Sequence, residues 1–417
     1  MTPAVPSAVP PGPGAFDAVA WSWVQHLRRG GTHAWLEWAA AEPAASTGAE
    51  PRPGAGRLPG AAQLEVVRRL AARPTAATVP FEQLADLVLG RGAPGRGPDD
   101  LPLVWPAGDQ PTGFGPPPVD PAGLPAAELV RVLVGVITEL LVRTAPRPAG
   151  RPGGSGPRGN PARADGFPVV GAPAPAAAVR AALAAAGHRP ADPPTAAVLL
   201  AEPVDRLLAQ AWTRRVRRGG IVPWPRYVDR WVRQDRLPAA VDLPTVAARW
   251  AKQVGVDRVH VVVVGPGPDA IAAVRTTAAH VLGLSLAESP GRGPLEPAQV
   301  ELVRLVNQVL RGRVAAGRHR QLLRRLMPRL AEGPAGARLP VRNADWVDTM
   351  SARVREELRA GGYPLHGDLD MLRPAPADPS AGPETGLLPV ALDTCLALAA
   401  DPAASVVLSA ATSGAGR

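Results

Sequence analysis

The stretch VHVVVVGPGP (259–268) carries the strongest structural signal in the chain. Its valines form a β-branched run too short for a buried helix, and Gly265-Pro266-Gly267-Pro268 stops it abruptly. A strand without alternating polarity has both faces covered, as in a parallel sheet. A helix is predicted after it, from about 269 to 282. Two shorter runs upstream repeat the grammar. FPVV (167–170) precedes a Gly/Pro turn and an Ala-rich helix, and AAVLL (196–200) precedes a helix through Trp212. Short apolar runs alternating with helices predict an α/β fold, a parallel sheet with crossover helices. Ligands of such sheets sit beyond the carboxyl ends of the strands, here 171–175, 201–204 and 265–268.

Working outward, this α/β domain is expected over 166–374, with later helices at 297–311, 318–331 and 344–360. Residues 145–165, APRPAGRPGGSGPRGNPARAD, form the clearest boundary, a Pro/Gly/Arg linker with almost nothing to bury. Before it the expectation is a small, loosely packed helical module (15–144), with helices at 15–29, 61–72, 80–90 and 125–143. Residues 1–14 are expected to be disordered, and 375–417 to be a tail with one helix at 387–400.

Composition narrows the function classes. Pro contributes 52 residues and Gly 44, too many for one compact fold from end to end. The formal charge is +10, and every basic side chain except Lys252 is Arg. That charge permits an anionic partner without requiring one. The single cysteine, Cys395, excludes an internal disulfide and reads as buried helix filler. Seven histidines are scattered with no HxxxH or HExxH spacing, so no metal site is expected. His260 and His280 read as core residues, and Asp368 and Asp370 as capping groups. The N-terminus lacks a basic and an apolar region of a signal peptide, and the longest apolar stretch, 129–142, is too short and too polar to span a bilayer. A cytoplasmic protein without membrane contact is expected.

Two places could carry function. The turn after the first strand, GAPAPAAAVRAAL (171–183), occupies the position of a phosphate-binding loop. Its chemistry is poor, because Ala and Pro stand where Gly, Lys and Ser/Thr would serve. The second place is WTRRVRRGGIVPWPRYVDRWVRQDR (212–236), with eight Arg from Arg214 to Arg236 and interleaved aromatics. Arg on phosphates with aromatics on bases would make a nucleic-acid platform. Against that, Trp224, Tyr227, Val228 and Trp231 fall at i, i+3, i+4 and i+7, the spacing of a buried stripe with Arg on the other face. The run Arg318 to Arg329 is amphipathic in the same way.

From about 166 to 374 the order of features resembles the sulfotransferase superfamily, in a divergent form. The pieces that carry it are VVGAP at a strand end, AQAWTRRVRRGG closing a helix, DRVHVVVVGP, VLGL, ELVRLVNQVL and REELRAGGYPLHGDLDMLRP. The resemblance implies a P-loop-like fold and phosphoadenosine phosphosulfate held on a loop of the form P-K-[ST]-G-T-T. Here Pro173 is followed by Ala174, Pro175, Ala176, Ala177 and Ala178. The place of a second contact, an Arg-Asp pair, holds Glu202-Pro203. Only residues 188–195 fill the interval where active members keep an acceptor pocket and catalytic base. The leading reading is therefore a degenerate, non-catalytic sulfotransferase-like protein with no cofactor, acting as a binding or scaffold protein toward a protein partner. One alternative is an active, altered transferase in which Gly171, Arg180, Arg217 and Arg218 hold the nucleotide. A second is an Arg-rich nucleic-acid-binding protein acting through Arg214–Arg236.

Overall fold

The computed structural model describes residues 13–41, 58–90, 103–104, 117–145, 167–265, 270–285, 295–330, 343–374 and 382–404. Of the segment 1–14 expected to be disordered, 1–12 lie outside them while residues 13 and 14 open the first helix, and of the expected linker 145–165 all but residue 145 lie outside them. Two compact units emerge. One takes residues 1–147, 309–329 and 387–417, and the other takes 148–308 and 330–386. This corrects the division expected from sequence. The helix near 318 and the tail helix near 387 belong with the N-terminal helices, not with an α/β domain or a separate tail.

The first unit is helical: α1 (Pro13–Arg28), α2 (Trp35–Ala41), α3 (Ala61–Ala71), α4 (Phe81–Leu89) and α5 (Ala126–Thr144). Helix α5 is buried almost all round, from Leu129 to Leu141, which marks it as the centre of a bundle. It packs against α3, α4 and two helices from the far end of the chain. Fully buried Trp23, Trp35, Leu64, Leu133 and Ile137 make a closed core in place of the loose packing expected. Cys395 is also fully buried, and burial pushes its thiol up to about 12, which keeps it protonated and inert. No helix among the described residues is long and apolar enough to cross a membrane.

The second unit is mixed α/β. Its strands are β1 (Val169–Gly171), β2 (Ala197–Ala201), β3 (Val259–Val263) and β4 (Leu365–His366). All pair in parallel, in the order β1-β2-β3-β4. Five consecutive residues of β2 are buried. Successive side chains of a strand point to opposite faces, so both faces of the sheet are covered. The crossovers are α6 (Pro173–Ala185), then α7 (Val204–Arg217), α8 (Trp224–Arg233) and α9 (Leu243–Val254), then α10 (Ala270–Leu282) and α11 (Pro297–Leu310). The third crossover continues through α12 (Ala316–Leu326), which clusters with the first unit, and returns in α13 (Ala344–Ala360). The closing helix, α14 (Leu387–Ala399), packs on α5 in the first unit. Helices α6 and α10 form one packed pair against the strands, and α9 and α13 form another. Neither α9 nor β4 is among the elements expected from sequence.

Local chemistry places the ends of these elements. Pro173 opens α6 at a position that needs no N–H donor. Gly187 follows α6 with φ +81°, and Gly362 follows α13 with φ +69°, the left-handed conformation that closes helices. Asp205 sits in the first turn of α7 and Arg214, Arg215 and Arg217 in its last, so charge complements the helix dipole at both ends.

Candidate functional site

At the carboxyl end of β1 the chain turns straight into α6. Gly171 holds φ +92°, and a Cβ there would stand 2.2 Å from the Leu200 carbonyl oxygen of β2. Its glycine is therefore dictated by the close approach of two strands, independently of any ligand.

The backbone donors of the turn are all occupied or missing. Ala172 N–H donates to Leu200 O at 2.8 Å, and Ala176 N–H donates to Ala172 O at 3.0 Å. Pro173 and Pro175 have no N–H to offer. Ala174 N–H donates to Gln210 Oε1 at 3.0 Å. Gln210, on α7, in turn donates its Nε2 to Glu202. Glu202 is 5% exposed, and Arg206 lies 3.6 Å from its other oxygen. A chain of side chains thus fills the start of α6 where the oxygens of a bound phosphate would otherwise accept.

Burial raises the pKa of the Glu202 carboxyl, against the opposing pull of the Gln210 hydrogen bond and Arg206. A carboxyl whose folded pKa lies above its unfolded value binds protons more tightly when folded, so its share of stability falls as pH rises. Glu202→Gln keeps an oxygen for Gln210 and removes that titration. It is expected to raise the melting temperature more at pH 8 than at pH 4, with the gap opening as pH climbs from the ordinary carboxylate range to the raised value. Equal shifts at the two pH values would contradict this.

Beside the turn lies a cleft of about 320 Å³ lined by Gly171, Pro173, Ala176, Arg180, Arg214 and Arg249, with small aliphatic residues completing the wall. Arg180, on α6, donates to the Val169 carbonyl at 2.5 Å on the free edge of β1. Arg214 and Arg249 are exposed and form no ion pair among the described residues. No carboxylate, imidazole, hydroxyl or thiol lines the cleft. Guanidinium stays protonated throughout the accessible pH range. The cleft can therefore hold an oxyanion but offers no group to move a proton.

Of the four residues expected to hold a nucleotide, Gly171 and Arg180 line this cleft. Arg217 and Arg218 do not; they lie exposed at the end of α7. Arg214, singled out from sequence only as part of the Arg-rich segment 212–236, and Arg249 line it with Gly171 and Arg180; the convergence of α6, α7 and α9 leaves no sequence motif. Glu202, which stands where the resemblance would place a cationic contact, is buried and hydrogen-bonded to Gln210.

Other singled-out residues resolve simply. Trp212, Trp224, Tyr227 and Val228 are buried and Trp231 is half-buried, so the aromatics of 212–231 are core residues. The Asp368 carboxylate accepts from Asp370 N–H at 2.8 Å, a turn cap. His280 is exposed rather than buried. His260 is half-buried, with Nδ1 at 3.1 Å from Nε2 of His366 on the neighbouring strand. His26 and His33 meet in the same way at 3.0 Å. Burial and the facing ring lower the pKa of both His260 and His26. No cluster of three or more metal-ligating side chains occurs among the described residues.

Compared with protein-family models, curated proteins and solved structures, the chain matches none of them.

Proposed function

We propose that this chain is a sulfotransferase-like protein that has given up sulfate-donor binding and catalysis and works as a binding protein. One observation carries the reading: every backbone N–H from residue 172 to 176 is either absent or used inside the protein. Phosphate loops work by aiming free N–H groups at the ligand. Here Gln210 takes the one donor that two prolines and two internal bonds leave over. The cleft alongside supports the same reading, since its cations bind without supplying an acid, base or nucleophile.

The test is calorimetry of adenosine 3′,5′-bisphosphate with the full chain. The full chain is needed because α12 lies between two stretches of the α/β unit in sequence but clusters with the helical unit. No heat of binding is expected at millimolar ligand. Micromolar binding would overturn the proposal, and its loss on Arg214→Ala would show that side-chain cations had replaced the loop. Transfer of sulfate from the donor to any acceptor would overturn it as well.

A further inference from the structure

About half of the described arginines have internal partners. Arg28, Arg73 and Arg353 pair with carboxylates from other elements. The basic run on α12 is partly committed, with Arg320 and Arg324 exposed and not ion-paired among the described residues. Arg318 donates to Val142 O and Ala145 O, Arg325 donates to Thr144 O, and Arg325 and Arg329 pair with Asp401. The guanidinia of Arg318 and Arg325 satisfy the last carbonyls of α5, a cap that accounts for those two without a ligand.

Exposed arginines without an ion pair gather most densely at the end of α7 and along α8. Arg214, Arg215, Arg217 and Arg218 are exposed at the end of α7. Arg226, Arg230, Arg233 and Arg236 are exposed on α8 and just beyond it. None of them is ion-paired among the described residues, although Asp229 and Asp235 lie in the same segment. Asp235 instead accepts from the Trp346 indole at 3.2 Å. The two helices share one core, with the rings of Trp212 and Trp224 5.6 Å apart. Burial raises the pKa of the Tyr227 hydroxyl, and the charges of Arg215 on α7 and Arg230 on α8 both oppose that rise. The Arg230 guanidinium lies 5.1 Å from the centre of the half-buried Trp231 ring, which fixes it as a flat exposed fork. Arg226, Arg230 and Arg233 recur at i, i+4 and i+7, a row about 10 Å long on one helix face.

Eight like charges on one short stretch repel one another, and burial of the aromatics does not require them. A row of exposed, uncompensated guanidinia suits a polyanion whose phosphates accept bidentate hydrogen bonds, as a nucleic-acid backbone does. From this we infer that the α7–α8 surface binds the phosphate backbone of nucleic acid, without sequence preference. The inference rests on the binding-protein reading and names its partner. The two fail separately: tight adenosine bisphosphate binding would remove that reading, yet Arg226, Arg230 and Arg233 line no part of the cleft that would explain it.

Fluorescence anisotropy of a labelled mixed-sequence oligonucleotide, single-stranded and duplex, with the full chain tests the inference. Micromolar binding at low salt is expected, weakening with a log–log salt slope of about −3 to −5 as four or five phosphates are neutralised. Replacing Arg226, Arg230 and Arg233 together by Ala is expected to weaken binding at least about tenfold and flatten the slope by about 2 to 3. The same three positions changed to Lys should keep most of the affinity, which separates charge from folding. No binding at low salt, a slope flatter than about −1, or an unchanged Ala variant would overturn the inference. So would binding to anionic phosphatidylglycerol vesicles at least as tight as to the oligonucleotide.

Discussion

Gly171→Ala is expected to destabilise the α/β unit by about 3 kcal/mol or more, lowering its melting temperature by roughly 6–12 °C. Two costs add. A φ of +92° forces any Cβ into a strained conformation, worth about 1–2 kcal/mol. The new Cβ would also stand 2.2 Å from the Leu200 carbonyl oxygen and 3.0 Å from the Leu200 nitrogen. Those atoms belong to β2, and Leu200 O accepts from Ala172 N–H, so relief requires pulling β1 off the sheet. Overpacking against an immovable partner adds about 1–3 kcal/mol. Gly187→Ala supplies the control. Gly187 has φ +81° with no atom within 4 Å of an added Cβ, so it should lose only the backbone share. If thermal melts place the two variants within about 1 kcal/mol of each other, the strand contact is not the constraint.

This bears on what could be read from the sequence. Gly171 was legible as a special glycine at a strand end, but in a phosphate loop and a tight strand contact the letter is the same. The three longer strands were legible because Val, Leu and Ala runs bounded by Gly and Pro have few other uses. Strand β4 is two residues, Leu365 and His366, with no alternation to detect. Helix α9 was hidden by Pro238 and Pro244, of which the second sits in its first turn, where proline costs nothing. The amphipathic stripes of α12 and α14 announced burial but not the core they would join, since a stripe records no address. The aromatic stripe of α8 was legible for the same reason of period, and its Arg face with it. The cleft was half legible: Gly171 and Arg180 follow from the strand-to-helix turn, whereas Arg214 and Arg249 depend on how three helices converge. Gln210, which closes the turn, is a lone polar residue within a helix and carries no signal at all. The two histidine pairs leave no local motif, because 106 residues separate one pair, and seven residues, with an irregular link, separate the other.

Arg304→Met is expected to cost about 3–5 kcal/mol, because it strands a buried carboxylate. Arg304 and Glu301 lie on α11 with side chains 8% and 7% exposed. Nε and Nη2 of Arg304 hold both oxygens of Glu301, at 2.8 and 2.5 Å. Nη1 donates to the Ile221 carbonyl at 3.1 Å and to Gln308 at 3.2 Å. One turn further, the fully buried Asn307 donates to Val216 O at 2.8 Å and Gly220 O at 3.0 Å. This polar row on α11 donates to Val216 O near the end of α7 and to the Gly220 and Ile221 carbonyls beyond it, and so pins the 216–221 turn that leads into α8. Removing one ion of a buried pair leaves the other uncompensated, whereas replacing both with apolar groups removes the charge problem altogether. Glu301→Leu combined with Arg304→Met should therefore recover about half of the loss, the rest being the Ile221 carbonyl left without its donor. Denaturant melts of the two single variants and the double variant close the cycle. If the double variant is no more stable than Arg304→Met alone, the pair is not the source of the cost. A further consequence links this row to the basic surface. The turn it pins lies between the arginines at the end of α7 and those on α8. In the double variant, at temperatures where it remains folded, oligonucleotide affinity is expected to drop while the salt slope holds, because the charges remain and only their placement loosens.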